Sequence, residues 1–570
     1  MRKILASLWL IGACFGARAQ NLTAAQKDSD LRYLASLYST YYAPADWKKQ
    51  LFGFDLLDLK PWLDRAARTA TDLDFYELMV EYVASLNDTH DRFSLPSDFV
   101  ASLGFTVDIY DGVALIESLN RTQLPVARYP FTTGDELVSL DGIEASQLLK
   151  DFAKYGASSN PSAIRRLAAT RLTSRPQSVM PHAVVVAGKS ATVEIRRQSG
   201  VVETYTIPWV TSGTPLEVGP VPSPKAQKQV PRIQVVEGAG EPDYMAELRS
   251  AQWSGVLRPE DTGLIGYGGR NPIFLGAMAQ FNFTRRLGGA AADFYYSGTF
   301  KFEELTIGYI RIPNYSPPST ATALTQFEAE IAYMTANTDG LIVDEMRNTG
   351  GSLCFGEEIA ARLIPYQFTA TGFQLRPYWS RINGFYNSLV AAKNGGAASA
   401  VISQYDLAYN AMLAANRQGR TVTESLPLCT SSLVREPLLD RNGNRIAYEK
   451  PLMMLIDEFS TSTADSVPAM IADAKRAVLY GMRTNGAGGN NTSFHAGAYT
   501  EGTAGMTLAL QARKAKVGGF GFPFTEYIEN TGVWPDIPDD YMTKANLLQS
   551  GAPFVSGFLQ HMAFEIRAKR

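Results

Sequence analysis

The stretch Leu452-Met453-Met454-Leu455-Ile456-Asp457-Glu458-Phe459-Ser460-Thr461-Ser462-Thr463-Ala464-Asp465 decides how this chain is read. Five consecutive apolar residues suit a strand buried on both faces, as in a parallel sheet. A polar, hydroxyl-rich turn follows and runs into a helical pattern that lasts to Ala474. A serine in such a turn holds its Oγ beside the free N–H groups of a helix start. Those groups and the helix dipole can stabilise a developing oxyanion. The same residues also read as a plain helix start, with Ser460 or Ser462 as the cap and Asp465 in the first turn.

Working outward, Ile307–Ile312, Leu341–Asp344 and Val478–Tyr480 repeat the short apolar pattern. Helical stretches at Ala321–Thr335, Gly356–Leu363 and Ser462–Ala474 lie between them. This alternation predicts a layered α/β core with parallel strands over residues 263–545. A less hydrophobic, irregular insertion interrupts it at about 370–446, and 546–570 form a C-terminal tail. Residues 20–99 read as a helical cap, with apolar residues at helical spacing and Pro44 closing the first helix. Residues 100–210 read as a small α+β module. Its strands are expected at Gly104–Ile109, Val113–Ile116, Glu136–Leu140, Ala183–Val186, Thr192–Arg196 and Thr204–Pro208. Residues 211–262, rich in Pro, Gly, Ser and charge, read as a linker or surface excursion.

Composition narrows the function classes. The 570 residues are 45% hydrophobic with a net charge of −3, so the chain is globular and carries no electrostatic footprint for nucleic acid. Residues 1–19 have a charged head, an apolar run from Ile4 to Phe15 and a small-x-small end at Ala17-Arg18-Ala19, the layout of a signal peptide. Its loss removes three positive and no negative charges, taking the net charge from −3 to −6. The protein is therefore expected to be exported, periplasmic or secreted. Ile11-Gly12-Ala13-Cys14 leaves lipid anchoring at Cys14 as a minor alternative. No later apolar run reaches the ~18 residues of a membrane span. Cys354 and Cys429 then remain, and an oxidising compartment permits one bridge without requiring it. There is no His-Glu-x-x-His and no cysteine pair at zinc spacing, so neither a metal nor another cofactor is expected.

A serine nucleophile needs a base. The chain has four histidines, His90, His182, His495 and His561. His90 stands in Asn87-Asp88-Thr89-His90-Asp91, where a helix gives way to a polar turn. A second candidate segment, Leu341-Ile342-Val343-Asp344-Glu345-Met346-Arg347-Asn348-Thr349-Gly350-Gly351, places paired glycines after a buried strand. Glycines there let the backbone approach a ligand closely.

Taken with Val478-Leu479-Tyr480-Gly481 and Ile528-Glu529-Asn530-Thr531-Gly532-Val533-Trp534-Pro535-Asp536, these segments resemble, in order and spacing, the tail-specific (C-terminal processing) serine peptidases. The resemblance implies a crotonase/ClpP-like core, a PDZ-like domain over 100–210 and peptide or protein substrates. Within the family pattern the nucleophile is Ser462 rather than Ser460, and the oxyanion hole is Thr463 with Gly350 or Gly351. Ser102-Leu103-Gly104-Phe105 resembles the PDZ loop that captures a peptide carboxylate through backbone N–H groups, assigning Leu103, Gly104 and Phe105 to that role. Where many relatives carry the lysine of a Ser–Lys dyad, this chain has Ala487. The tricorn-like and chlamydial branch uses His and Glu instead, which implies Ser462, His90 and Glu529, with Glu526 as an alternative third member. Asp465 replaces the family's Glu, Arg347 is a displaced family Arg, and Asp473 reads as an exposed helix-end acid. A rival expectation is a non-catalytic binding protein on a peptidase fold, taking either a peptide C-terminus through residues 100–210 or an apolar ligand in a pocket lined by the aromatic-rich stretch Phe274–Tyr296, a stretch that reads first as core.

Overall fold

The structure is a computed structural model that describes residues 21–216, 263–519 and 521–569. The expected leader with Cys14, and nearly all of the expected linker, lie outside them. No helix among the described residues is long and apolar enough to cross a membrane.

A seven-stranded sheet runs in the order Phe283–Leu287, Tyr296–Phe302, Leu305–Arg311, Gly340–Asp344, Leu452–Ile456, Val478–Gly481, Ile537–Pro538. The first three strands pair antiparallel; from Leu305–Arg311 onward every pairing is parallel. Alternation along the strands explains their unbroken hydrophobicity. Leu341, Val343, Leu452, Met454 and Ile456 pack with Phe327, Ile331, Phe355, Val467 and Met470 of the helices Thr320–Asn337, Leu353–Ala361 and Thr463–Asp473. Ile342, Met453 and Leu455 cluster instead with Phe554, Phe558, Met562 and Ile566 of the helix Ala552–Ala568. The stretch 546–570 is set apart as a tail in sequence, yet its helix Ala552–Ala568 supplies the third layer of the core.

The module after the cap is a six-stranded antiparallel sheet with the helix Pro161–Thr173 against it. The expected strand at Ala183–Val186 is instead part of the 3-10 turn Pro181–Val186. Proline opens this turn without an N–H to give a ladder, and Ala183 N–H turns back to the Met180 carbonyl at 2.8 Å.

A five-stranded sheet carries Phe93–Ser94 and Gly489–His495 against the long strand Thr503–Gly519. It fixes the turn that precedes Phe93. The stretch 370–446 is not irregular: the helices Trp379–Asn394 and Ser399–Arg417 bury Ile382, Phe385, Leu389, Tyr405 and Met412 against each other. Asp473 is not an exposed acid. Its Oδ1 accepts from Arg513 Nε at 3.0 Å and Nη2 at 2.5 Å, and its side chain is 5% exposed.

The aromatic stretch near 283–296 is packed ring on ring, Phe283 lying 4.7 Å from Phe300 and 6.0 Å from Tyr296 between centroids. The neighbouring cavity, lined by Phe274, Tyr309 and Phe558, has about 10 Å³, at most the space of one water.

Cys354 and Cys429 form a disulfide, which ties the insertion to the helix that follows Gly350-Gly351. Closing a loop with a sequence separation of 75 restricts the unfolded chain by about 4 kcal/mol. The variant with both cysteines changed to serine is expected to lose about that much stability in a denaturant titration that monitors the core.

Candidate active site

The strand Leu452–Ile456 ends at Asp457, and the chain reverses within five residues to enter the helix Thr463–Asp473. Ser460 is spent inside this turn: its buried Oγ donates to the Glu345 carbonyl at 2.8 Å and accepts the Asp457 N–H at 3.0 Å. Ser462 differs. It sits at the helix start with φ +61° and ψ −112°, outside the extended conformation usual for a cap. A side-chain-bearing residue there is strained by about 1–3 kcal/mol. This is the geometry of a nucleophile held on a sharp strand-to-helix turn. Asp465 secures it by accepting the Ser462 N–H at 2.8 Å.

The glycine turn reaches the same place. A Cβ on Gly350 would lie 2.5 Å from the Thr461 carbonyl oxygen, 2.8 Å from Ser462 Cβ and 3.2 Å from Thr463 N. Its φ of +76° also excludes a side chain. Thr463 opens the helix, so its N–H has no intrahelical acceptor, and its Oγ1 donates to the Gly351 carbonyl at 2.7 Å. The Gly350 N–H donates to Asn348 Oδ1 at 2.8 Å. A second oxyanion donor therefore requires Asn348 to release Gly350, or Gly351 to serve in its place.

His90 stands in the turn after the helix Asp72–Ala84, 1% exposed. Asp88 shapes this turn: its Oδ1 accepts the His90 N–H at 2.9 Å, and its Oδ2 accepts from Tyr42 at 2.9 Å and Thr507 at 3.0 Å. His90 Nδ1 lies 3.8 Å from Asp88 Oδ1, too far for a hydrogen bond. Burial, joined by the Lys48 charge, pushes the imidazole below its ordinary value; Asp88 opposes them.

Glu529 is fully buried, with a polar atom within 4.8 Å of those of His90 and Asp88. Its Oε2 accepts the Gly488 N–H at 2.9 Å; its Oε1 accepts from Ser159 at 3.0 Å and from Lys48 Nζ. Burial and the charge of Asp88 raise it to about 7, against the pull of Lys48. Glu526 lies elsewhere, facing Lys516 at 3.4 Å on the hairpin. Asp88, His90 and Glu529 are close enough to surround a cation. Of the three, Glu529 is bound by the Lys48 ammonium, which also lies on Asn530 Oδ1 and the Asn87 carbonyl, and no metal is assigned here.

The turn 485–488 joins these parts. Asp465 accepts the Gly486 N–H at 2.7 Å and the Ala487 N–H at 3.0 Å. Gly488 binds Glu529, and Asn485 accepts from Thr89 beside His90. Ala487 is fully buried, which leaves no space there for a lysine base, and Lys514 is exposed. Burial raises Asp465 to about 6 despite its N–H donors. Arg347 is buried away from the elbow's hydroxyl, its Nη1 on the Ile265 carbonyl and its N–H on Asp457 Oδ1 at 2.8 Å.

In the small module, the expected carboxylate loop is internally satisfied. Leu103 N–H donates to the Thr173 carbonyl at 3.0 Å and Gly104 N–H to Ser102 Oγ at 3.1 Å, while Phe105 pairs opposite Leu119. A cavity of about 260 Å³ adjoins it, lined by Ser102, Gly104, Phe105, Gln123 and Thr173. Carboxylate capture at this loop requires those donors to be released.

Residues 306–538 match the profile of peptidase family S41. Over those residues the core is similar to this family. Residues 100–215 match the PDZ domain. A protein of Chlamydia trachomatis serovar D is 23% identical, covering 93% of this chain and 92% of its own. One of Chlamydia pneumoniae is 24% identical, covering 91% and 87%. Among solved structures, mature CPAF complexed with lactacystin superposes with a TM-score of 0.71 at 20% identity, covering 96% of this chain and 99% of that one. The chain is thus a serine peptidase whose core is similar to family S41, with a PDZ domain.

Lys48, Asn348, Ser159 and Gly488 escaped the reading of the sequence. Gly488 alone carried a signal, since a glycine is required where a Cβ would lie 2.3 Å from Glu529 N. Gly350→Ala, whose Cβ would crowd the Thr461 carbonyl and Ser462, is expected to lower both the rate of Ser462 labelling and the melting temperature, measured as labelling rate beside a thermal melt.

Proposed function

We propose that this protein is an exported serine endopeptidase that cleaves peptide bonds through an acyl-enzyme, with Ser462 as nucleophile, His90 as base and Glu529 as the acid behind it. The strained Ser462 elbow, held against Gly350 at the start of a helix, carries this reading. Ser462 Oγ attacks the scissile carbonyl carbon while His90 takes its proton. The Thr463 N–H and a donor from Gly350 or Gly351 receive the oxyanion. Collapse expels the amine, which takes the proton from the imidazolium, and water activated by the same histidine releases the acyl group. Glu529 balances the imidazolium charge. The leader-like residues 1–19 and the Cys354–Cys429 bridge support export to an oxidising compartment. The PDZ module is assigned to holding peptide substrate at the cavity beside Gly104. The packed aromatics near residue 283 offer no comparable space for an apolar ligand.

Labelling with a fluorophosphonate tests the site. The wild type is expected to be modified at Ser462, and Ser462→Ala or His90→Ala to abolish it. An unlabelled, well-folded wild type would turn the reading towards a binding protein.

The pH dependence has a definite sign. His90, pushed down by burial, is already neutral near pH 7, whereas Glu529 ionises at about 7. The labelling rate is therefore expected to rise with pH through that region as Glu529 gains its charge. Glu529→Gln should be slow and lose this rise, and Glu526→Gln should behave as the wild type.

A further inference from the structure

Lys48 reaches the site from the short helix Ala45–Phe52, 481 residues from its carboxylate partner in sequence. It is 1% exposed and its ammonium is fully engaged, on Glu529 Oε1, on Asn530 Oδ1 at 2.8 Å and on the Asn87 carbonyl at 2.8 Å. The adjacent Trp47 donates its Nε1–H to the Glu529 backbone carbonyl at 2.8 Å. Consecutive residues of one helix thus hold both the side chain and the main chain of Glu529.

A buried ammonium is expensive unless it is paired and hydrogen-bonded. An apolar side chain of similar length would leave Asn530 Oδ1 and the Asn87 carbonyl without this donor, but a neutral donor would serve those two. The electrostatics require the charge. The groups that face Glu529 are Asp88, Asp91 and His90 from the histidine turn and the hydroxyl of Tyr42, which caps the helix Ala24–Tyr41. Two of these are carboxylates and none is a fixed cation. Without Lys48, Glu529 would shed its charge by taking a proton, and a neutral acid cannot balance the imidazolium formed when His90 takes the serine proton.

We propose that Lys48, delivered by the N-terminal helical cap, is a positioning residue of the peptidase: it keeps Glu529 an oriented carboxylate behind His90, so that the cap completes the catalytic site. The proposal rests on the Ser462–His90–Glu529 reading. It treats Lys48 as acting only through Glu529, not as a base for Ser462.

Lys48→Met, Glu529→Gln and the double variant test it, with folding followed by thermal melts and Ser462 labelling rates measured between about pH 6 and 9. Lys48→Met is expected to slow labelling at pH 7 by about tenfold or more and to move the rising limb up by about one pH unit or more. In the Glu529→Gln background the same substitution should change the rate by less than about twofold, because the group it acts through is gone. An unchanged rate and profile in folded Lys48→Met overturns the proposal. So does an equal loss with and without the Glu529 carboxylate. Should Lys48→Met not fold, Lys48→Gln, which keeps donors but no charge, is read in the same way.

Carboxyl 13C NMR of Glu529, assigned by its loss in Glu529→Gln, follows the same linkage without turnover. An upward shift of the Glu529 titration midpoint in the Lys48 variant supports the proposal, and an unmoved midpoint overturns it. A wild type that is not labelled at Ser462, but whose Glu529 midpoint depends on Lys48, would sink the peptidase reading and leave the Lys48–Glu529 assignment standing.

Discussion

The backbone of Ser462, at φ +61°, is held in a conformation that an L-residue adopts only under constraint. Its surroundings supply that constraint from four sides. Behind it lies the fully buried strand Leu452–Ile456. On one flank the Thr461 N–H is fixed by the Asn348 carbonyl at 3.0 Å, and on the other the Asn485 N–H donates to the Ser460 carbonyl at 2.9 Å. In front, Asp465 takes the Ser462 N–H itself. The same carboxylate gathers the N–H groups of Gly486 and Ala487, so one buried acid sets both the elbow and the turn that leads to Glu529. Ala487, in the middle of that turn, is small and fully buried.

The site draws on the cap, the module and the core. The cap gives Lys48 and Tyr42, the PDZ module gives Ser159, and the core gives the elbow and Glu529. A second buried charge cluster joins module to core directly. Arg166 binds Asp108 within the module at 2.7 Å and reaches Glu458, beside the elbow, at 2.7 Å, and the Tyr541 hydroxyl at 2.5 Å. Tyr541 in turn donates to Asp457 at 2.8 Å. Buried ion pairs of this kind add little net stability but penalise any arrangement that leaves a partner unpaired. The relative placement of the PDZ module and the Ser462 elbow is therefore tightly specified.

Local pattern and tertiary context divided the legibility of the fold. The core strands were readable because burial on both faces demands continuous apolar runs, and the helices between them because of their spacing. The insertion hid two helices. Ile382, Phe385 and Leu389 follow helical spacing, but Gly384 and the polar residues between them dilute the signal. The last helix was readable as a helix but not as a layer of the core, because its apolar face gains meaning only from the alternate residues of the strands it covers. Asp473 became a buried ion pair only when the strand Thr503–Gly519 brought Arg513 to it.

By itself, the sequence determined which short segments could carry chemistry: the hydroxyl turn after Ile456, the paired glycines after Asp344, the histidine at a helix break and the acid at 529. These are local requirements of backbone geometry and of donor and acceptor type, so they leave local marks. Tertiary structure decided which serine stands strained at the helix start, that Glu529 and not Glu526 lies behind His90, and that the two cysteines meet. It also decided that a lysine near the N-terminus lends its charge to an acid near the C-terminus. Those outcomes depend on distances between segments hundreds of residues apart, and a buried charge finds its partner only when the chain has folded around both.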